Sequence, residues 1–283
     1  MKRSTFALAS TLLLLSTTLG CAAEHDADAD YEARMASEHA GDEAVPGAAA
    51  GDPAQRAVDA EEIAYWPGEE ITGYLAWPRK GASRGGIIVI QEWWGLNDNI
   101  KTMARRFAQQ GYTALAVDLY EGQVGKTRDQ ALALMQEANG RTARLEDNLR
   151  AAHEYLATTV GAAKIGAVGW CFGGGWSLQS AVILGDSLDA AVVYYGRLDA
   201  DDRLENLAAP ILGHFGSEDG GIPLPTVRAF ESRMDALGKS ITVHVYQEAN
   251  HAFANPTGRN YDEKAADAAW QRTLDFFATH VGG

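Results

Sequence analysis

Cysteine is scarce in this chain of 283 residues, which contains only Cys21 and Cys171. Cys21 ends a segment that resembles a signal peptide, so we expect it to be removed or lipidated. Cys171 is then the only free thiol, which excludes an intramolecular disulfide. Because an exposed thiol oxidises readily outside the cytoplasm, we expect this one to be buried or to carry out chemistry.

The amino terminus lacks an apolar run long enough to span a membrane. The run Phe6 to Leu15 has about ten residues, whereas a membrane-spanning helix needs about 20. Two basic residues precede this run, so residues 1–21 are predicted to be a secretory signal peptide. Leu19-Gly20-Cys21 resembles the bacterial lipoprotein signal, although Thr18 stands where an aliphatic residue is usual. Lipidation of Cys21 and simple cleavage therefore both stay open, and we expect a bacterial protein that is periplasmic or membrane-anchored.

Basic residues are outnumbered, with 24 Lys and Arg against 38 Asp and Glu and a formal net charge of −14. The absence of a basic patch argues against nucleic acid as a partner. Ten acids and only two bases lie in residues 22–60, which are also rich in alanine. Because such a composition buries little apolar surface, we predict that residues 22–60 form a disordered acidic linker. Residues 61–283 are long enough for one α/β domain.

Strands and helices alternate along residues 61–283. A hairpin is expected around Pro67-Gly68-Glu69, and the continuous apolar run Gly86–Gln91 is typical of a strand buried on both faces. Alternation of this kind predicts a mainly parallel, doubly wound sheet with helices on both faces. The predicted strands are Ile63–Trp66, Ile71–Trp77, Gly86–Gln91, Tyr112–Val117, Lys164–Val168, Leu188–Tyr194, Ile211–Phe215 and Ile241–Tyr246. The predicted helices are Asp98–Gln110 (capped by Asn97 or Asp98), Thr127–Asn139, Thr142–Thr158, Trp176–Leu184, Asp201–Leu207, Thr226–Leu237 and Asp262–His280.

Cys171 lies in the segment Gly169-Trp170-Cys171-Phe172-Gly173-Gly174, between a predicted strand and a predicted helix. Small residues on both sides permit a strained turn, which exposes the central side chain at the carboxyl end of the strand. This is the pattern of a nucleophile elbow, with cysteine in place of the usual serine.

A thiol nucleophile needs a base, and the base needs an orienting acid. His251 follows a predicted strand in a loop, where its ring can reach a cleft. Glu218 and Asp219 follow the strand before it, and spacing alone does not choose between them. The remaining histidines are set aside because they lie in the acidic linker, in helices or inside apolar strands: His25, His39, His153, His214, His244 and His280.

Several motifs, taken in order, resemble the dienelactone hydrolase family of the α/β-hydrolase superfamily. They are Gln91-Glu92-Trp93-Trp94-Gly95, Asp118-Leu119-Tyr120, Gly169 to Gly174, Tyr194-Tyr195-Gly196, Gly216-Ser217-Glu218-Asp219 and His251-Ala252-Phe253-Ala254. The resemblance covers roughly residues 60–280 and implies the α/β-hydrolase fold. It further implies hydrolysis of a small ester or lactone through an acyl-enzyme, as in a carboxymethylenebutenolidase. The roles of nucleophile, base and acid fall on Cys171, His251 and Asp219.

The resemblance also gives Glu92 a role, since the matching Glu contacts the resting thiol and takes part in forming the thiolate. A thiol kept protonated until substrate arrives would resist oxidation, so we expect this gating here. The backbone N–H groups of Phe172 and Trp93 are expected to form the oxyanion hole.

Substrate binding is where this sequence departs from the family pattern. Members that bind an anionic lactone use two arginines, one of which aligns with Arg128, whereas Asn255 occupies the position of the other. Asn255 is still expected to contact the substrate, and Trp94 is expected to line an apolar acyl pocket. We therefore expect a neutral or differently shaped small ester or lactone as substrate, and a monomer. No cofactor or metal is expected, because no corresponding sequence motif is present. A non-catalytic exported lipoprotein that keeps this scaffold for binding is the alternative.

Overall fold

The computed structural model of the chain describes residues 29–42, 58–199 and 201–282. The predicted signal peptide, Cys21 and part of the predicted linker lie outside these residues. Within the described part of the chain, no helix is long and apolar enough to cross a membrane.

An eight-stranded sheet forms the centre of the molecule. Its strands are β1 (Val58–Ala64), β2 (Thr72–Pro78), β3 (Gly86–Ile90), β4 (Thr113–Ala116), β5 (Ile165–Trp170), β6 (Ala190–Tyr194), β7 (Ile211–Gly216) and β8 (Ile241–Tyr246). They lie in the order β1-β2-β4-β3-β5-β6-β7-β8. β1 and β2 are antiparallel to their neighbours, while the pairs from β4 to β8 are parallel. The chain order reverses at β3, which lies between β4 and β5, and ligand sites of such sheets form at the strand carboxyl ends near this point.

Seven α-helices occur in the described residues and surround the sheet. They are α1 (29–38), α2 (Asp98–Gln109), α3 (Arg128–Asn139), α4 (Thr142–Glu154), α5 (Phe172–Leu184), α6 (Leu224–Ala236) and α7 (Glu263–His280). Polar side chains cap three of them: Asn97 accepts from the Ile100 N–H of α2, and Thr127 and Asp262 cap α3 and α7 in the same way. The cap of α2 is thus Asn97 rather than Asp98.

Helices cover both faces of the sheet, as the two glycines of β5 illustrate. Gly166 and Gly169 point to opposite faces, because side-chain directions alternate along a strand. Gly166 faces Phe277 of α7, whereas Gly169 faces Gly173 of α5. The α/β-hydrolase architecture expected from the sequence is therefore present.

Three helical predictions differ from the structure in detail. α5 begins at Phe172, four residues before the predicted start, because the helix-weakening glycines 173–175 conceal its first turn in the sequence. The predicted helix Thr142–Thr158 changes after Glu154 into a π-helical turn, Tyr155–Thr159. The predicted helix Asp201–Leu207 is the third case, because only a short 3₁₀ helix, Asp202–Asn206, forms there.

Residues 29–42 differ most from expectation, because they are not a disordered linker. Tyr31 and Met35 are buried in the domain core although the surrounding residues are acidic and small. Hydrogen bonds fix α1 at its sides: Glu32 accepts from Gln136 and Asn139 of α3. β1 also begins within the predicted linker, at Val58, which pairs with Pro78. Apolar residues on one face of an acidic segment are enough to dock it.

Candidate active site

The turn between β5 and α5 holds Cys171 in an unusual backbone conformation. Its φ of 54° and ψ of −117° are costly for a residue with a side chain, typically by about 1–3 kcal/mol. Gly169 and Gly173 make the turn possible: a Cβ on Gly169 would overlap the Gly173 backbone, and one on Gly173 would overlap the carbonyl groups of Ile90 and Gln91. Strand and helix thus approach more closely than side chains allow, and the thiol projects at the sheet edge where β3 also ends.

His251 and Asp219 lie beside the thiol and form a hydrogen-bonded pair. The His251 Nδ1–H donates to Asp219 Oδ2 at 2.9 Å, and both side chains are buried. Asp219 Oδ1 accepts two further bonds of 2.8 Å, from the N–H groups of Gly221 and Ile222. Glu218 is exposed instead. The structure therefore brings together the three residues that the sequence analysis singles out, with Asp219 as the acid that contacts the histidine.

The electrostatics of these groups favour an ion pair. Burial raises the pKa of the Cys171 thiol, but the charges of His251 and then His39 outweigh it and lower the pKa to about 6. Burial alone would lower the pKa of His251, yet the Asp219 carboxylate and the Cys171 thiolate raise it well above its ordinary value. Burial alone would raise the pKa of Asp219, but the His251 charge and the hydrogen bonds that the carboxylate accepts lower it below its ordinary value. These shifts favour a thiolate and an imidazolium at neutral pH, whereas the resemblance implies a thiol that stays protonated until substrate arrives.

Glu92 is buried at the end of β3, but its partner is Asn255. The Asn255 side-chain amide donates to Glu92 Oε2 at 2.8 Å. Burial, and next the Cys171 thiolate, raises the pKa of Glu92 to about 8, so this carboxyl is mostly protonated at neutral pH. Asn255 also accepts from the N–H and hydroxyl of Thr257. The residue expected to contact substrate thus holds the carboxyl group of Glu92.

The two amides expected to bind the oxyanion lie at the same edge of the sheet. Phe172 is the first residue of α5, where N–H groups have no acceptor within the helix. Trp93 lies in the turn after β3, which closes with a bond from the Gly95 N–H to the Glu92 carbonyl. Since β3 and β5 are neighbours, the two amides flank the end of the elbow.

A residue set aside at the sequence level, His39, completes the surroundings of the thiol. Its Nε2 lies 3.6 Å from Cys171 Sγ, and its Nδ1–H donates to Asp42 Oδ2 at 2.8 Å. Its ring stacks on Trp93, with centroids 4.1 Å apart. One signal for this contact exists in the sequence: Tyr31, Met35 and His39 recur every four residues, which places them on one face of a helix.

The turn after α1 therefore closes the site. Cys171 is 1% exposed and His251 0%, so both residues are buried. Arg128, expected to bind a substrate carboxylate, instead donates to the Ala36 carbonyl at 2.7 Å. Trp94 is buried against Trp93, at a centroid distance of 4.9 Å. In this position, residues 29–42 cover the thiol.

An elbow at the end of a central parallel strand, followed along the chain by an acid and a histidine, defines an α/β-hydrolase. The model of the dienelactone hydrolase family matches residues 71–281, which is well over half of the chain. The chain therefore belongs to the dienelactone hydrolase family and is a hydrolase acting on small molecules. Residues 29–42, including His39, lie outside the matched region.

Relatives and solved structures agree with this assignment. "Protein usf" of Aquifex pyrophilus is 33% identical over 226 residues, which cover 76% of this chain and 95% of that protein. A Saccharolobus solfataricus protein named "Putative carboxymethylenebutenolidase" is 32% identical over 250 residues, covering 74% and 94% of the two chains. The crystal structure of a "Putative Dienelactone Hydrolase" from Klebsiella pneumoniae superposes with a TM-score of 0.72 at 30% identity, covering 79% of this chain and 100% of the other.

Proposed function

We propose that this protein hydrolyses a small carboxylic ester or lactone through a Cys171 acyl-enzyme, as a carboxymethylenebutenolidase-like thiol hydrolase. The observation that carries the proposal is the buried series of Cys171, His251 and Asp219, whose charges favour a thiolate and an imidazolium. A thiolate is the nucleophilic form of cysteine, and an oriented imidazolium is the acid that an alkoxide leaving group requires.

The reaction then runs in two halves. The Cys171 thiolate attacks the carbonyl carbon, and the N–H groups of Phe172 and Trp93 bind the resulting oxyanion. As the carbon–oxygen bond breaks, His251 gives its proton to the leaving oxygen, which leaves a thioester on Cys171. His251 next removes a proton from a water molecule that attacks the thioester, and the carboxylic acid departs as the thiolate re-forms. Asp219 keeps the imidazole oriented throughout.

Glu92 acts as a neutral hydrogen-bonding group in this scheme. Its carboxyl, with a pKa of about 8, keeps a second negative charge away from the thiolate at neutral pH. A charged carboxylate there would destabilise both the thiolate and the oxyanion by repulsion. The bond from Asn255 holds the carboxyl in place.

A neutral substrate fits the polar groups around the site. Asn255 carries no charge and is engaged with Glu92, which leaves Arg128 as the one arginine of the expected pair. Two arginines are therefore not available together to bind a carboxylate by their planar forks. Trp93 and Trp94 add apolar surface on which an acyl group can pack.

Hydrolysis of p-nitrophenyl acetate by purified variants tests the proposal. Cys171→Ala is expected to lose at least about 1,000-fold in kcat/KM, because the covalent route requires the thiolate. Cys21→Ala is the matched control and should retain the wild-type rate. Mass spectrometry of rapidly quenched wild type should show one added acetyl group that Cys171→Ala lacks. Equal rates for wild type and Cys171→Ala would favour the non-catalytic binding alternative.

For localisation, we propose export and attachment to a bacterial membrane through a lipid on Cys21. The basic start, the short apolar run and Leu19-Gly20-Cys21 support this proposal. Labelled palmitate fed to bacteria expressing the chain should be incorporated by wild type and not by Cys21→Ala. Secretion of unlabelled wild-type protein would instead indicate simple cleavage. We propose a monomer, which sedimentation of the delipidated protein tests.

A further inference from the structure

Three potential metal ligands meet at the closed site. The sulfur of Cys171 and ring nitrogens of His39 and His251 all lie within 4.8 Å of one another, and all three residues are buried. His251 Nε2 has no hydrogen-bond partner among the described residues, although it is buried. Because an unpartnered buried nitrogen is costly, a metal ion that replaces the proton on this nitrogen and binds there would stabilise the closed structure.

Both histidines are arranged as metal ligands usually are. Each gives its Nδ1–H to a carboxylate, His39 to Asp42 and His251 to Asp219, at 2.8 and 2.9 Å. A carboxylate on Nδ1 fixes the tautomer whose Nε2 is free to bind a metal, and it increases the basicity of that nitrogen. Two such pairs converge on one sulfur.

The distance between two of the donor atoms suits zinc. Zinc bonds are about 2.3 Å to a cysteine sulfur and about 2.0 Å to a histidine nitrogen, and a tetrahedral angle between them places the sulfur and the nitrogen about 3.5 Å apart. The distance from Cys171 Sγ to His39 Nε2 is 3.6 Å. Three ligands of sulfur and imidazole type match the preference of Zn²⁺ and exclude Mg²⁺ and Ca²⁺, which require oxygen.

We propose that Cys171, His251 and His39 form an inhibitory Zn²⁺ site that exists only while residues 29–42 close the active site. Bound zinc displaces the Nε2 proton of His251 to solvent and binds that nitrogen and the thiolate sulfur, so neither nucleophile nor base is available. The docking of α1 holds His39 in position. All three ligands are therefore together only in the closed position. By linkage, zinc stabilises this closed position by as much as closure increases the affinity for zinc.

Metal titration of the full-length protein tests the proposal. Calorimetry with Zn²⁺ should give one ion per chain, and Co²⁺ should produce a thiolate-to-cobalt charge-transfer band that Cys171→Ala lacks. His39→Ala is expected to weaken Zn²⁺ binding by at least about tenfold, and Asp42→Asn by about tenfold through the tautomer of His39. His153→Ala is the matched control, since that histidine bonds the Ser187 carbonyl on another part of the surface. Mg²⁺ should give no heat of binding.

Activity gives a second readout. Ester hydrolysis by the wild type should fall as one equivalent of Zn²⁺ is added and return on addition of EDTA, with each variant referred to its own zinc-free rate. Equal zinc affinities for wild type, His39→Ala and Asp42→Asn would overturn the proposal, as would the absence of stoichiometric binding. The proposal uses the same site as the proposed hydrolase, but calorimetry and the cobalt band need no turnover. Failure of the hydrolase proposal would therefore leave zinc binding testable, and failure of the zinc proposal would leave ester hydrolysis testable.

Discussion

The protonation state of Cys171 is set by its two histidine neighbours more than by Glu92. Burial opposes the thiolate, and the His251 and His39 charges overcome it. A thiolate is easily oxidised, but this one is protected by burial instead of by protonation. At the residue scale, burial by α1 is thus an alternative to the gating role that the resemblance gives to Glu92.

The pH at which Cys171 ionises distinguishes these two pictures. The ultraviolet absorbance of the thiolate, taken as wild type minus Cys171→Ala, should rise with a midpoint near pH 6, the thiolate being lost as the pH falls through this value. Asp219→Asn should move the midpoint upward, because His251 then loses the carboxylate that keeps it protonated. A wild-type midpoint near the ordinary thiol value of about 8.5 would support gating by Glu92 instead.

Glu92 should also make stability depend on pH. Its pKa is about 8 in the folded protein against an ordinary value of 4.5, so the folded state binds more protons between these values. Stability contributed by this group is therefore lost as the pH rises from about 4.5 to 8. Glu92→Gln, which keeps the shape and an acceptor for Asn255, should raise the Tm relative to wild type more at pH 8 than at pH 5. Thermal unfolding at both pH values checks this, and an equal difference would mean that Glu92 is charged in the folded state.

At the scale of the elements, the elbow depends on glycine at particular positions of α5. A Cβ on Gly173 would overlap backbone carbonyls of Ile90 and Gln91, whereas one on Gly175 would meet Arg197 at 3.4 Å, an ordinary contact. Gly173→Ala should therefore unfold the protein or lower its stability by about 3 kcal/mol or more. Gly175→Ala should be neutral or stabilising by up to about 1 kcal/mol, because alanine favours a helix. Urea denaturation of the two variants measures the difference, and equal stabilities would show that strand and helix can separate at the elbow.

The helix α1 shows where sequence patterns reach their limit. β3 and β5 are apolar enough to be recognised as buried strands, and the end of a central strand is where a nucleophile is expected. α1 has only two core residues, Tyr31 and Met35, within an acidic and alanine-rich segment. The composition of this segment therefore predicts disorder, although the four-residue spacing of the two apolar residues is typical of a helix. Whether such a segment docks depends on a complementary surface elsewhere in the fold, which its own residues do not reveal.

Docking of α1 should control access to Cys171. Met35 is fully buried, so Met35→Ala is expected to weaken docking by about 2 kcal/mol or more. A change of 1.4 kcal/mol alters the ratio of undocked to docked protein about tenfold. Because iodoacetamide reacts with the undocked form, the rate of Cys171 alkylation should rise at least about tenfold. Ser37→Ala, at an exposed position of the same helix, is the control and should leave the rate unchanged. Unchanged alkylation of Met35→Ala would mean that the thiol is reached by a path that avoids α1.

At the scale of the whole molecule, the proposed catalytic groups and their cover come from separate parts of the chain. Cys171 and His251 were predictable from their places after parallel strands, whose carboxyl ends lie at one edge of the sheet, whereas the choice of Asp219 over Glu218 came only from the family resemblance. The partners of Arg128 and Asn255 were not predictable in this way. Each is a long-range contact, to Ala36 and Glu92, that depends on packing and not on local pattern.

Because Arg128 binds the Ala36 carbonyl in the closed structure, undocking of α1 should change substrate preference as well as rate. A freed guanidinium can pair with a carboxylate, which a neutral ester does not offer. We expect Met35→Ala to raise kcat/KM more for a p-nitrophenyl ester with a terminal carboxylate than for a neutral ester of equal length. Arg128→Gln in the Met35→Ala background should remove this excess and leave the gain on the neutral ester. Equal gains on both esters in Met35→Ala would show that Arg128 takes no part in substrate selection, and that α1 acts on access to the thiol alone.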